Sequence, residues 1–373
     1  MIIKNLVLSG GSIKGISFLG TIKLFEEYNI INNLESVSGT SIGSFIATLI
    51  CLKYTYSELK PIFMKLNFEN LQDVNSTDIL NFFYDYGIDS GENFLRIIEI
   101  LIKAKTDNSK ITFKELFDLT KIKLIITATC VNNKKIIYYD YENTPNDMVS
   151  LSIRKSVSIP LLFKPVIDND KYFVDGALIN NFPIEIYDND IKNTLGIIIS
   201  EEEDNFTDIN SFELYLLSLI ECTYKDALSK LLTKYHKNIV VIRTDIHFLN
   251  FFISHEQKEE LINLGYNLTK KYITDNFVEI FDYGDLILEK FRKESMCSYN
   301  FKFNNYKLCN IDNIPILKES DSHEVFGIKY LLHKNIMETM PDKIVKEHIE
   351  YFLKEINNLF IYMVKVNDIE LKD

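Results

Sequence analysis

The sequence predicts an α/β fold on a mainly parallel sheet, and two features in its first fifty residues carry that prediction. Residues 2–8 form a short apolar run closed by Gly10-Gly11, after which Ile16, Leu19, Ile22 and Phe25 fall at helical spacing. A second unit repeats the order with residues 36–38, the turn Gly39-Thr40-Ser41-Ile42-Gly43, and the apolar stretch 45–52. Strand, glycine turn and helix in immediate succession is the rhythm of crossover-connected parallel strands. Buried on both faces, such strands read as continuous apolar runs.

Beyond these units the chain reads as helical, with Asp89 before Glu92 and Thr112 before Glu115 as caps of apolar-periodic runs. Strands return at 123–131 and 135–141, joined by an Asn132-Asn133 turn, and at 172–174, which leads into Asp175-Gly176. Residues 195–200 and 238–243 read as further buried strands, with the acidic run 201–204 as a solvated loop between them. Ser254 with Gln257 opens a helix that is expected to reach about Tyr272. From Phe277 the α/β rhythm is lost, and an amphipathic helix spans about 342–364. The expected division is an α/β domain over residues 1–275 and a mostly helical extension over 276–373.

With 373 residues, 46% of them hydrophobic, the chain can bury a full core. Its 41 Lys and Arg against 53 Asp and Glu give a net charge of -12, which opposes nucleic-acid binding and unspecific adsorption to anionic membranes. Any lipid contact is therefore local or apolar. Cys51, Cys130, Cys222, Cys297 and Cys309 are scattered without CxxC spacing, unlike a disulfide framework or zinc site, and read as reduced thiols of an intracellular protein. The apolar N-terminal run meets its glycine turn too early for a secretory signal, and no stretch approaches the roughly 18 apolar residues of a membrane span. A soluble or peripheral membrane protein is expected.

Three motifs can carry chemistry. Gly39-Thr40-Ser41-Ile42-Gly43 is a G-x-S-x-G between strand and helix, the setting of a nucleophile elbow, although a glycine-bounded helix start reads the same. In an elbow the Ser41 hydroxyl sits at a helix N-terminus, where free N–H groups and the dipole favour an alkoxide. Gly10-Gly11-Ser12-Ile13-Lys14-Gly15 can turn backbone N–H groups into a cavity, as an oxyanion hole or phosphate cradle, or be a plain turn. It fits neither nucleotide-binding glycine pattern. Asp175-Gly176-Ala177 ends a β-rich triplet and reads equally as a common Asp-Gly turn. All six histidines (His236, His247, His255, His323, His333, His348) lie after residue 235, away from every motif, which disfavours a serine-histidine pair.

In this order the motifs resemble the patatin-like phospholipase family. Two further segments agree: Ser156-Val157-Ser158-Ile159-Pro160 with Phe163-Lys164-Pro165 before the aspartate, and Asn181-Phe182-Pro183 after it. The resemblance covers about residues 5–200 and implies a three-layer α/β/α sandwich with the C-terminal helical extension appended. It also implies a lipid acyl hydrolase, of phospholipase A type, with Ser41 as nucleophile and Asp175 as its only protein base. The oxyanion hole falls on Gly10, Gly11, Ser12 and Ile42, with the N–H groups of Gly11, Ser12 and Ile42 as donors, and Gly39 and Gly43 flank the elbow. Lys14, with Gly15 beside it, matches a basic loop position that helps place the loop or attracts an anionic lipid.

Family members usually carry a third glycine where Ser12 stands. The implied reaction takes an acyl lipid at a membrane or micelle surface and requires no metal or organic cofactor. The alternatives are an acyltransferase using the same Ser41 and a catalytically silent lipid-binding protein. With a carboxylate base, activity is expected to persist below the pH at which an ordinary histidine, of pKa about 6.5, is protonated.

Overall fold

The structure is a computed structural model that describes residues 3–66, 73–74, 76–201, 209, 212–246, 250 and 253–297. Its main sheet contains β1 (Asn5–Leu8), β2 (Ser36–Thr40), β4 (Lys123–Cys130), β5 (Lys135–Tyr139), β7 (Val166–Asp168), β8 (Lys171–Asp175), β9 (Thr194–Glu201) and β10 (Ile239–Thr244). The strand order is β10-β9-β1-β2-β4-β8-β7, with β5 also paired to β4. From β10 to β4 every pairing is parallel, while β5, β7 and β8 form an antiparallel end. A small separate pair joins β3 (Gly87–Asp89) to β6 (Leu161–Phe163).

Strand alternation divides the core between two faces. Val7, Ile125 and Ile198 pack with Phe182, Ile184 and Tyr187 around the short-pitch helical segment Ile184–Asn193, with Leu228 and Leu231 of α8 (Phe212–Lys234) beside them. The alternate residues Leu6, Leu8 and Ile126 are buried on the other face, where α2 (Ile42–Cys51) and α7 (Val149–Ser156) pack on β1, β2 and β4. This is the expected three-layer arrangement with a mainly parallel centre.

The strand β4 has three partners, and their registers locate the site. Ile126 and Thr127 pair with both β2 and β5, which therefore lie on opposite edges of β4. Residues 128–130 pair with both β5 and β8, so β8 shares the β2 edge. Because β2 runs parallel and β8 antiparallel to β4, their C-terminal ends meet head to head, Thr40 opposite Thr127 and Asp175 opposite Ala128. The Asp175 strand is antiparallel to β4, and this reversal brings Asp175 to the end of the sheet where Ser41 lies.

Several elements differ from expectation in detail. The chain after the first glycine turn makes a short-pitch helical turn, Ser12–Ser17, before α1 (Phe18–Glu27). Asp89 caps no helix: it belongs to β3 and accepts from Gly91 N–H, and Gly91, at φ 68°, precedes α5 (Glu92–Thr106). The capping boxes Thr112–Glu115 and Ser254–Gln257 form as read. Helix α9 runs from His255 to Cys297, well past Tyr272, with no proline to stop it. The chain divides into units Met1–Tyr272 and Ile273–Asp373, a boundary inside α9. The acidic residues 202–204 and the helix expected at 342–364 lie outside the described residues.

Candidate active site

Two glycine-rich turns and one strand end converge at the seam. Ser41 lies between β2 and α2 at φ 53°, ψ -127°, a conformation that L-residues rarely adopt. The elbow closes only because its flanking residues lack a Cβ. One on Gly39 would collide with the Gly43 carbonyl, and one on Gly43 with the carbonyl oxygens of Leu8 and Ser9 at the end of β1. A Cβ on Gly15 would strike Ile42, so the two glycine turns touch there.

The Ser41 hydroxyl lies close enough to the Asp175 carboxylate to favour its charged form, and the carboxylate accepts from Ala177 N–H at 2.8 Å. Asp175 is 3% exposed, and burial pushes its pKa up to about 7, opposed by the nearby Ser41 hydroxyl and the Ala177 N–H. A carboxylate of that proton affinity beside a serine at a helix N-terminus can take the serine's proton. Of the histidines, His236 and His255 are exposed and the other four lie outside the described residues.

The first glycine turn faces the same point. Gly10 N–H is engaged by Asn181, at 3.0 Å from Oδ1 and 3.3 Å from the carbonyl oxygen, which seats Gly10 against the Ser41 Cβ and removes its amide from the donors. The N–H groups of Gly11, Ser12 and Ile42 have no protein acceptor among the described residues.

A family comparison matches this same span: residues 6–188 fit the patatin-like phospholipase family. These residues are a patatin-like phospholipase domain. The match supports a carboxylic ester hydrolase. It is 29% identical over 282 residues to an uncharacterized protein of Acanthamoeba polyphaga mimivirus, covering 73% of this chain and 94% of that one. It is 34% identical over 188 residues to a protein of Invertebrate iridescent virus 6 named a probable lipid hydrolase, covering 49% of this chain and 62% of that protein. Among solved structures, VipD from Legionella pneumophila superposes with a TM-score of 0.53 at 20% identity, over 74% of this chain and 67% of that one, a likeness of fold.

Within the patatin-like domain, Ser12 stands at φ 53° in the left-handed region that favours glycine, and its hydroxyl is buried without a partner among the described residues. This is the physical reason that a glycine suits the position. Ser12→Gly is expected to raise the unfolding free energy by about 1 kcal/mol. Urea denaturation checks it; Ser12→Ala stabilising as much would locate the strain elsewhere. Lys14 is 3% exposed, buried within the turn.

Residues whose roles sequence reasoning left unassigned supply the bracing. The tail of α7 and the residues after it touch both halves of the pair: Ser156 Oγ accepts from Ser41 N–H at 2.9 Å, and Ser158 carbonyl oxygen accepts from Asp175 N–H at 2.8 Å. Buried Arg154 anchors this segment through Ser158 Oγ and the carbonyl oxygens of Ser90 and Lys164. On the other side Thr40 Oγ1 contacts Thr127 Oγ1 at 2.6 Å and donates to Asn180 carbonyl oxygen at 3.1 Å. Ser156→Ala leaves the buried Ser41 amide unpaired. It is expected to cost about 1–3 kcal/mol of stability. With Ser41 shifted, kcat should fall by roughly 10- to 100-fold at nearly unchanged KM. Kinetics on a soluble ester with a denaturation curve check both; an unchanged kcat would remove Ser156 from the bracing.

Proposed function

We propose that this protein releases fatty acids from phospholipids or related acyl lipids through an acyl-enzyme on Ser41. Asp175 takes the Ser41 proton as Oγ attacks the acyl carbonyl, and the N–H groups of Gly11, Ser12 and Ile42 hold the resulting oxyanion. Asp175 returns the proton to the leaving alkoxide, whose departure leaves the acyl group on Ser41. Water then attacks the acyl-enzyme, losing its proton to Asp175, and the fatty acid departs as Ser41 is reprotonated. The single observation that carries this reading is the placement of Ser41, at a helix N-terminus facing backbone donors without a protein acceptor, beside the buried Asp175 carboxylate.

Among the described residues no helix is long and apolar enough to cross a membrane, so the lipid is reached from one side in this reading. Incubation with a mixed lipid extract and mass spectrometry of the products tests it, with Ser41→Ala as control. Free fatty acid and the matching lysolipid are expected from the parent protein alone. Acyl groups moved onto an added alcohol without fatty acid release would favour the transferase alternative.

A further inference from the structure

The first glycine turn is packed at both ends, and one of its supports belongs to a helix that the chemistry does not use. At the end nearer Ser41, a Cβ on Gly11 would strike the Ile199 side chain of β9, and one on Gly15 the Ile42 side chain of α2. At the other end the turn closes on Ser17, which is fully buried and whose hydroxyl has no partner among the described residues. Packing therefore sets the place of Ser17, and α9 supplies it. A Cβ on Gly265 would collide with the Ser17 carbonyl oxygen, and one on Gly20 in α1 with the Ile262 carbonyl oxygen and the Tyr266 nitrogen. The two glycines let these helices meet backbone to backbone, with no side chain at the crossing to absorb a change.

Helix α9 is seated before and after this crossing. Before it, Lys258 Nζ donates to the carbonyl oxygens of Phe63, Met64 and Leu66 at 3.2, 3.2 and 2.6 Å, at the end of α3 (Tyr56–Lys65), and Glu259 pairs with Lys60 at 2.8 Å. After it, Tyr266 OH donates to Glu27 at 2.6 Å, and Thr269 Oγ1 contacts Thr21 Oγ1 at 2.9 Å, both threonines being buried. All of these residues lie in the same unit as Ser41. A helix fixed on α1 and α3 in this way resists yielding, so an atom added at Gly265 presses on Ser17. Only six residues separate Ser17 from Gly11, and at Gly15 the turn already rests on Ile42, itself an oxyanion donor in this reading. A misplacement of about 1 Å can cost roughly 100-fold in rate.

We propose that Gly265 is a positioning residue for the oxyanion hole: the bare backbone of α9 at this point sets where the N–H groups of Gly11 and Ser12 stand. The proposal rests on the acyl-hydrolase reading of Ser41 and names an element outside the motifs that the reaction depends on.

Gly265→Ala in the full-length chain is expected to lower kcat on a water-soluble butyrate ester by roughly 10- to 100-fold at nearly unchanged KM. Affinity for a short-chain trifluoromethyl ketone should fall by a similar factor. Ser41 Oγ adds to the carbonyl carbon of that ketone, Asp175 takes the serine proton, and the carbonyl oxygen becomes an oxyanion that the hole must hold. Leu261→Ala is the control: buried on α9 one turn before Gly265, it removes packing and adds no atom at Ser17. It should lower the urea midpoint while leaving kcat and ketone affinity unchanged.

An unchanged kcat in folded Gly265→Ala overturns the proposal, and so does an equal loss of kcat in Leu261→Ala. If Gly265→Ala does not fold, hydrogen exchange on the parent protein decides. Ketone binding should slow amide exchange in residues 262–269 together with 12–17, and protection confined to 12–17 overturns the proposal. A parent that turns over no ester and takes no fluorophosphonate label overturns the hydrolase reading and the proposal with it, an outcome distinct from loss of the proposal alone.

Discussion

Ser41→Ala is expected to lower turnover by at least about 10⁴-fold and to abolish covalent labelling by a fluorophosphonate, which traps an activated serine as a tetrahedral mimic. The fold should be untouched. Alanine keeps the Cβ and the unusual backbone at φ 53°, and the Ser156 hydroxyl still accepts from the amide of residue 41. Ser41→Gly separates chemistry from strain: equally inactive, it should be the more stable of the two variants because glycine adopts this φ freely. Labelling that survives in Ser41→Ala would locate the nucleophile elsewhere.

For Asp175→Asn the expected loss is about 10²- to 10⁴-fold, since the amide keeps the shape of the carboxylate but cannot accept the Ser41 proton. In the parent enzyme the rate should fall as pH drops through about 7, where Asp175 takes up a proton. Burial moves the carboxylate into the range where an ordinary histidine titrates, so a pH profile alone cannot distinguish the two bases.

The same pKa sets the sign of a stability effect. Raised from 3.8 to about 7, Asp175 binds its proton more tightly in the folded state than in the unfolded one, so ionising it costs stability. That penalty grows as pH rises from about 4 to 7 and is complete above 7, where it amounts to roughly a few kcal/mol. Asp175→Asn should therefore be more stable than the parent well above pH 7, with the advantage vanishing near pH 4. Urea denaturation at both pH values checks this, and an enzyme still active with Asn at this position would falsify the aspartate base.

What could be read in advance was what is local in the chain. The elbow around Ser41 and the loop around Gly11 announce themselves because each is a few consecutive residues whose backbone geometry demands glycine. Even the exception was informative, since the serine standing for a third glycine proved to hold a left-handed φ. Pairings between distant segments could not be read. Nothing in residues 171–175 states that their strand runs against β4, and nothing in Ser156 or Asn181 states that they meet Ser41 and Gly10. The similarity of those two segments to the family marked them without giving their tasks. Asp89 misled because an acid three residues before a glutamate has the spacing of a cap, while tertiary pairing with β6 drew it into a strand.

The head-to-head meeting of β2 and β8 also bears on how the enzyme comes into being. Its nucleophile belongs to the first local α/β units of the chain, which can condense early. Its base arrives on a strand most of a domain later, and β1 gains its second neighbour only when β9 is laid beside it. Closing such long loops is slow relative to forming helices. Catalytic competence should consequently lag behind helical content during refolding, which makes ester turnover a reporter of the last sheet contacts to form.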